Sequence, residues 1–219
     1  GGTPRWFLAT LLLPENEPAS TAKEIFEQLH DAAQELGITL IGGHTEITVG
    51  LPRPIIAGTM LGEAAPSETV STSAATPGDD IILTRSIAIE GTAIIARESK
   101  SQLLGAGLSE TEISQAAALL DSPGISIVSA ARIAGGTGHV TAMHDPTEGG
   151  LAGALEELAL ASNTGITVDA AHVTVLPETR RVCDAFGLDP WGLIASGALL
   201  ITARPAATQD IVTALSEGG

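Results

Sequence analysis

The chain has 219 residues, 44% of them hydrophobic, and 26 Asp+Glu against ten Lys+Arg give it a formal net charge of −16. That is enough chain for one large domain or two small ones with a sizeable core, while the acidic balance argues against nucleic acid or an anionic membrane as partner, since both need a basic surface. Apolar runs such as FLATLLL and GALLI fall far short of a bilayer span, and a single cysteine, Cys183, excludes an internal disulfide framework and a Cys-cluster metal site.

In chain order, WFLATLLL (6–13) is a buried strand or helix, which periodicity alone does not separate. Thr21 to Glu24 reads as a capping box, followed by the apolar stripe Ala22, Ile25, Phe26, Leu29, Ala32, Ala33, Leu36 and a stop at Gly37. ITLI (38–41) reads as a short strand running into GGHTEIT (42–48), and PIIAGTMLGE (54–63) as another strand. The Pro/Ser/Thr/Ala-rich stretch 64–80 is the best candidate for a domain boundary. Beyond it, strands at 81–86, HVTAM (139–143), ITV (166–168) and 197–203 alternate with helices at 90–99, 109–120, 126–134, 150–162, 177–187 and 207–215. Ser109 to Glu112 forms a second capping box. Alternating strands and helices predict an α/β or α+β fold with helices packed on a sheet.

The ends read as cut. The chain opens GGTPRWFLATLLLPE without an initiator Met and closes IVTALSEGG where a further strand is expected. No basic segment precedes an apolar run and a cleavage site, so a cytoplasmic location is expected.

Candidate chemistry concentrates in MHDPTEGGLAGALEELA (143–159). A carboxylate at a strand end, then glycines and a helix N-terminus, can serve an anion through free amides and the helix dipole. Asp145 could hold Mg²⁺, which takes oxygen ligands and often bridges carboxylate to phosphate. Asp145 or Thr147 acting as a plain helix cap explains the same residues. IGGHTEIT offers a second oxygen-rich lip, Gly42, Gly43, His44, Thr45 and Glu46, or an ordinary hairpin loop. Glu90-Gly91-Thr92 and Ser196-Gly197 read as a helix cap and a tight turn, and Cys183 as a helical core residue. His30, His44, His139, His144 and His172 lack zinc spacing, and neither a Walker loop nor a GxSxG elbow is present.

Together, PRWFLATLLLPE, IGGHTEIT, GDDIILTRSIAIEGTAIIARE, MHDPTEGGLAGALEELA and GLDPWGLIASGALLI resemble, in this order and over nearly the whole chain, the AIR synthase-related superfamily. The closest branch is the hydrogenase expression/formation protein HypE and its archaeal-type relatives. The resemblance implies a two-domain PurM-like architecture, truncated here at both ends. Residues 1–65 would be the C-terminal part of an ATP-binding, dimerising domain with a mixed sheet, 66–80 a linker, and 81–219 an incomplete C-terminal α/β domain. It implies a homodimer with Mg·ATP in a cleft between the domains. Gly42, Gly43, His44, Thr45 and Glu46 would lie on one side, and Asp145, Thr147, Gly149 and Gly150 on the other, with Asp145 and Glu46 as the metal carboxylates. In the hydrogenase branch, ATP drives dehydration of a carbamoyl group on the protein's own C-terminal cysteine, for the cyanide ligands of NiFe hydrogenase. A carbamoyltransferase or another hydrogenase maturation partner is then expected.

The sequence also departs from that pattern. The acidic, glycine-rich N-terminal segment and the C-terminal cysteine are not among these residues, His44 stands where Asp is common, and Glu148 where a basic residue is common. The piece by itself is therefore expected to be inactive, although the full-length protein is expected to be an enzyme. An AIR synthase-like enzyme of purine, thiamine phosphate or selenophosphate type, or a non-catalytic dimeric scaffold of the same fold, remains open on the sequence.

Overall fold

The structure, a computed structural model, describes residues 1–66 and 68–218. It comprises two compact units, Gly1–Thr69 and Val70–Gly219, divided within the Pro/Ser/Thr-rich stretch.

In the first unit, β1 (Thr3–Leu13) is the central strand, with β2 (Thr39–Ile47) parallel on one side and β3 (Ile55–Glu63) antiparallel on the other. Pairing on both edges resolves the strand-or-helix ambiguity of 6–13 as strand. Side chains alternate across the sheet. Ala9, Leu11 and Leu13 are buried, as is Ala33 of helix α1 (Ala19–Leu36), whose apolar stripe lies on that side. Helix α1 begins two residues before the expected capping box. Pro18 is its N-cap, and the Thr21 hydroxyl donates instead to Glu17 at 2.7 Å. Gly37, at φ 69°, ends the helix as expected.

GGHTE is not a loop. It lies inside β2, where Phe7 pairs with Leu40 and Leu8 with Gly42, leaving Ile41 bulged out of register. Gly43 sits so close to β1 that a Cβ would lie 1.8 Å from the Ala9 carbonyl oxygen, whereas a Cβ on Gly42 would meet nothing within 4 Å. The two glycines permit a strand pairing; they do not end a strand.

The second unit is built on the sheet β4-β6-β5, comprising Asp80–Leu83, Leu200–Ala203 and Val140–His144, antiparallel throughout. Every residue of β6 is buried, because helices cover both faces. Leu199, Ile201 and Ala203 pack with Ala134 of α5 (Val128–Gly136) and Ile211 of α8 (Pro205–Gly218). Leu200 packs on the other face with Leu151 and Ala154 of α6 (Gly150–Ser162). Beside this core, α2 (Ile89–Glu98), α3 (Lys100–Gly105), α4 (Glu110–Ala118) and α7 (Pro177–Phe186) enclose Ala96, Leu103, Ile113, Ala116 and Val182. The Ser109–Glu112 capping box forms, with Ser109 Oγ accepting from the Glu112 amide at 3.2 Å and Glu112 Oε2 from the Ser109 amide at 2.8 Å. The apolar stretch 110–136 is not one straight helix, since Ser122 adopts φ −146° and ψ 111° between α4 and α5.

The expected strand at 166–168 is absent, as no described strand pairs with it. Its side chains are used differently: Ile166 packs against Ala75, Ala142 and Leu158, and Val168 stays 41% exposed. Asp79 holds the start of β4. Burial pushes its carboxyl up, but hydrogen bonds from the Thr76 amide and the Thr141 hydroxyl, aided by the Arg204 charge, bring it below the usual range.

Gly43→Ala should cost the first unit several kcal/mol, because β1 and β2 must separate as well as strain. Gly42→Ala should cost roughly 1–3 kcal/mol from backbone strain alone. Urea unfolding of both variants tests this, and equal losses would show that close approach at Gly43 is not the deciding term.

Candidate functional site

The Asp145–Gly150 turn joins the end of β5 to the start of α6. Asp145 is exposed and its carboxylate has no hydrogen-bond partner among the described residues. Pro146 is buried, and its ring holds its own φ while restricting Asp145 to extended backbone. Glu148 folds back on the turn. A bond to its own backbone amide, then the Thr147 hydroxyl, lowers its carboxyl below the ordinary range. Among the described residues, Asp145 has no such neighbour acting on its carboxylate.

Gly149 and Gly150 both have left-handed backbone, at φ 78° and 61°. Gly150 also needs the absence of a side chain, since a Cβ there would sit 2.5 Å from the Trp191 carbonyl oxygen and 2.6 Å from that of Leu193. The segment 191–195 is therefore a strap across the helix start. The Ala152 amide donates to Trp191 O at 3.0 Å, and the Ala195 amide to Thr147 O at 3.3 Å. Residues nominated for separate minor roles meet here as well. The Gly91 amide, in the first turn of α2, donates to Ile194 O at 3.2 Å, and a Cβ on Gly91 would lie 2.4 Å from the Leu193 side chain. Gly197, at φ 101°, faces Gly124. One hub thus gathers the starts of α2 and α6 and the turn before β6.

The strap was not nominated from the sequence. The signal that could have found it is a pair of glycines, Gly91 and Gly150, each placed in the first turn of a helix where glycine is costly. Strain collects at the same place. Arg85 and Ala88 have left-handed backbone at φ 56° and 61°. Arg85 is held by donating to the carbonyls of Gly124 and Ser126, both at 3.2 Å, and Ala88 by accepting from Thr92 Oγ1 at 2.6 Å. Such conformations persist only where their surroundings over-determine them.

The anion-binding capacity is narrower than a bare helix start would offer. The Gly150 amide donates to Thr147 O at 3.0 Å, that of Ala152 to the strap, and Leu151 is buried. Chemically, the turn presents the exposed Asp145 carboxylate and the exposed, side-chain-free Gly149, while Gly150 is closed off by the strap. This donor set suits a phosphate carried with a hard cation. Among the described residues, no group of three or more His, Cys, Asp or Glu is placed to hold a metal ion without such a ligand.

The other nominated residues lie on β2 in the first unit. Thr10 pairs with His44 and Leu12 with Glu46, which puts both on the sheet face opposite α1, and their side chains are 3.6 Å apart. Gly43 and Thr45 alternate to the α1 face. Cys183 is buried, and burial, then the Asp184 and Asp189 carboxylates, push its thiol up, so it is a core residue and a poor nucleophile. A pocket of about 570 Å³ lies under 164–173 against α6, lined by Asp79, Leu151, Leu155, Thr202 and neighbours, and holds none of the nominated residues.

Comparison with known proteins agrees with this architecture. Residues 1–64 match the AIR synthase related protein, N-terminal domain, and residues 76–219 its C-terminal domain. The carbamoyl dehydratase HypE of Cupriavidus necator is 30% identical over 223 residues, covering 100% of this chain and 59% of that protein. Escherichia coli HypE, a hydrogenase maturation protein, superposes with a TM-score of 0.84 at 22% identity, over 99% of this chain and 64% of the other. A HypE crystallised in complex with ATP gives 0.77 at 23% identity, over 100% of this chain and 62% of the other. This chain thus spans less than two thirds of each of these relatives, and with both of its units matched it belongs to the AIR synthase related protein family.

Proposed function

We propose that this chain is part of an ATP-dependent, HypE-like maturation enzyme that activates a carbamoyl group for dehydration to the cyanide ligands of NiFe hydrogenase. The observation that supports the nucleotide reading is the Asp145–Gly150 turn, with its exposed, unpartnered carboxylate at Asp145 and the exposed, side-chain-free Gly149 at the start of α6. The likeness to the C. necator carbamoyl dehydratase and to an ATP-bound HypE supports the same reading. In that reaction ATP phosphorylates the carbamoyl oxygen, and loss of phosphate with the amide protons leaves the nitrile. Here Asp145 would hold Mg²⁺, Thr147 and Gly149 would border the phosphates, and the 191–195 strap would keep the turn rigid. Gly42, Gly43, His44, Thr45 and Glu46 are proposed as a further nucleotide contact, Glu46 as a further Mg²⁺ carboxylate. Cys183 is buried and is not the thiol that carries the carbamoyl group, which would come from a carbamoyltransferase partner. With one buried thiol, the chain suits the reducing cytoplasm.

Homodimerisation belongs to the same proposal. The sheet face opposite α1 carries Trp6, Leu8 and Leu12 of β1, and their partners Leu61 and Ile55 of β3. Trp6 is 37% exposed, and Ile55 and Leu61 each 43%. An apolar sheet face of this kind marks an association surface.

Calorimetry on the intact protein should show Mg·ATP binding that Asp145→Asn weakens about tenfold or more without changing its melting temperature in the absence of nucleotide. Glu148→Ala should change it little, since that carboxylate is turned back on its own loop. Unchanged affinity in Asp145→Asn would remove the metal role. For the dimer, Ile55→Glu combined with Leu61→Glu should give a folded monomer by analytical ultracentrifugation; a dimer that survives both charges would place the interface elsewhere.

A further inference from the structure

We infer that His144 is a positioning residue for the Asp145 turn, acting through Glu157; this rests on the reading of Asp145 as the metal-bearing carboxylate. His144 is the last residue of β5. Its Nε2 donates to Glu157 Oε2 at 2.7 Å, with the imidazole 19% exposed. Glu157 lies on α6, two turns beyond Gly150. The bond therefore ties the residue before the turn to the helix after it, and closes the turn into a ring.

The other imidazole nitrogen, Nδ1, lies 3.4 Å from Thr72 Oγ1, and that hydroxyl donates to the Met143 carbonyl at 3.0 Å. Thr72 is itself anchored, because Ala75, three residues on, packs with Ala142 and Leu158. The end of β5 is thus held from two directions, at His144 by Glu157 and at the Met143 carbonyl by Thr72.

Asp145 needs such a grip because it has none of its own. Its backbone is restricted by the following proline, so where its exposed carboxylate is presented depends on how its two neighbours are held. On the Pro146 side the fixed point is the strap, through the Ala195 amide on Thr147 O. On the other side it is His144. Outer partners of this sort orient a ligand without touching the metal, and losing one costs affinity for the metal first.

The role is geometric, so it is separable from stability. Glu157 is 61% exposed, and Glu157→Leu should fold. In calorimetry on the intact protein, Glu157→Leu and His144→Phe should each weaken Mg·ATP binding about tenfold and leave metal-free ATP, measured in EDTA, within about twofold of wild type. Glu157→Gln, which still offers a carbonyl oxygen to Nε2, should restore Mg·ATP affinity to within about twofold, and in an Asp145→Asn background Glu157→Leu should add nothing. Wild-type Mg·ATP affinity in Glu157→Leu, with Asp145→Asn clearly weakened, would overturn the role of His144 alone. Equal loss with and without Mg²⁺ would also overturn it, by showing a general loosening. No effect of Asp145→Asn would instead take down the metal reading, and the inference with it.

Discussion

The second unit depends on one close approach, the first turn of α6 lying directly against the backbone of residues 191–195. No side chain fits between them, since a Cβ on Gly150 would come within 2.6 Å of two carbonyl oxygens. Once the contact is made, much follows from it. The strap's carbonyls and amides engage α6, the 145–150 turn and α2, and the strap then runs through Gly197 into the buried strand β6. The sheet and the turn are therefore held by the same few residues. This is why the backbone on either side of Asp145 is held while its side chain stays exposed and unpartnered.

The approach also uses up hydrogen-bonding capacity. A helix start normally leaves its first amides open, but here Gly150 and Ala152 are engaged by the protein itself. The same restriction applies to nearby positive charge. Arg85, beside the start of α2, directs its guanidinium to the Gly124 and Ser126 carbonyls. In a chain of net charge −16, a polyphosphate at this turn would meet few open donors and no lysine cradle. The divalent cation proposed for Asp145 would compensate by reversing the local sign of charge. On that proposal, rigidity and affinity for phosphate would compete at this turn, and the metal would let both be kept.

What could be read from the sequence follows the range of the forces involved. Helix α6 was legible over Gly150–Ser162, α7 to its Gly187 stop, and the Ser109–Glu112 box to its reciprocal bonds, because caps and helical stripes are local. GGHTE and 166–168 misled for the opposite reason. Two glycines look like a loop until β1 lies beside them, and ITV looks like a strand until it finds no partner. The DPTEGG turn was legible as a place, but its use of Trp191–Ala195 was not, since contacts across some forty residues leave no periodic mark. The only trace is indirect, in glycines placed where a helix would prefer almost anything else.

The two units also differ in how complete their layers are. In the second, the sheet is covered on both faces, and β6 has no exposed residue. In the first, α1 lies on one side, where Ile56 and Met60 are still 47% and 45% exposed, while Trp6, Leu8 and Leu12 line the other face together with His44 and Glu46. An exposed apolar sheet face is suited to being covered, whether by further chain or by a partner. Having His44 and Glu46 along the edge of that open face makes the proposed association and the proposed β2 nucleotide contact physically dependent on each other. A partner seated over Trp6 and Leu12 would dehydrate the neighbouring carboxylate of Glu46, and a dehydrated carboxylate holds a cation more tightly than one in open water. Affinity for Mg²⁺ at β2 would then rise with dimerisation, while affinity at Asp145, whose supports all lie within residues 70–219, would not.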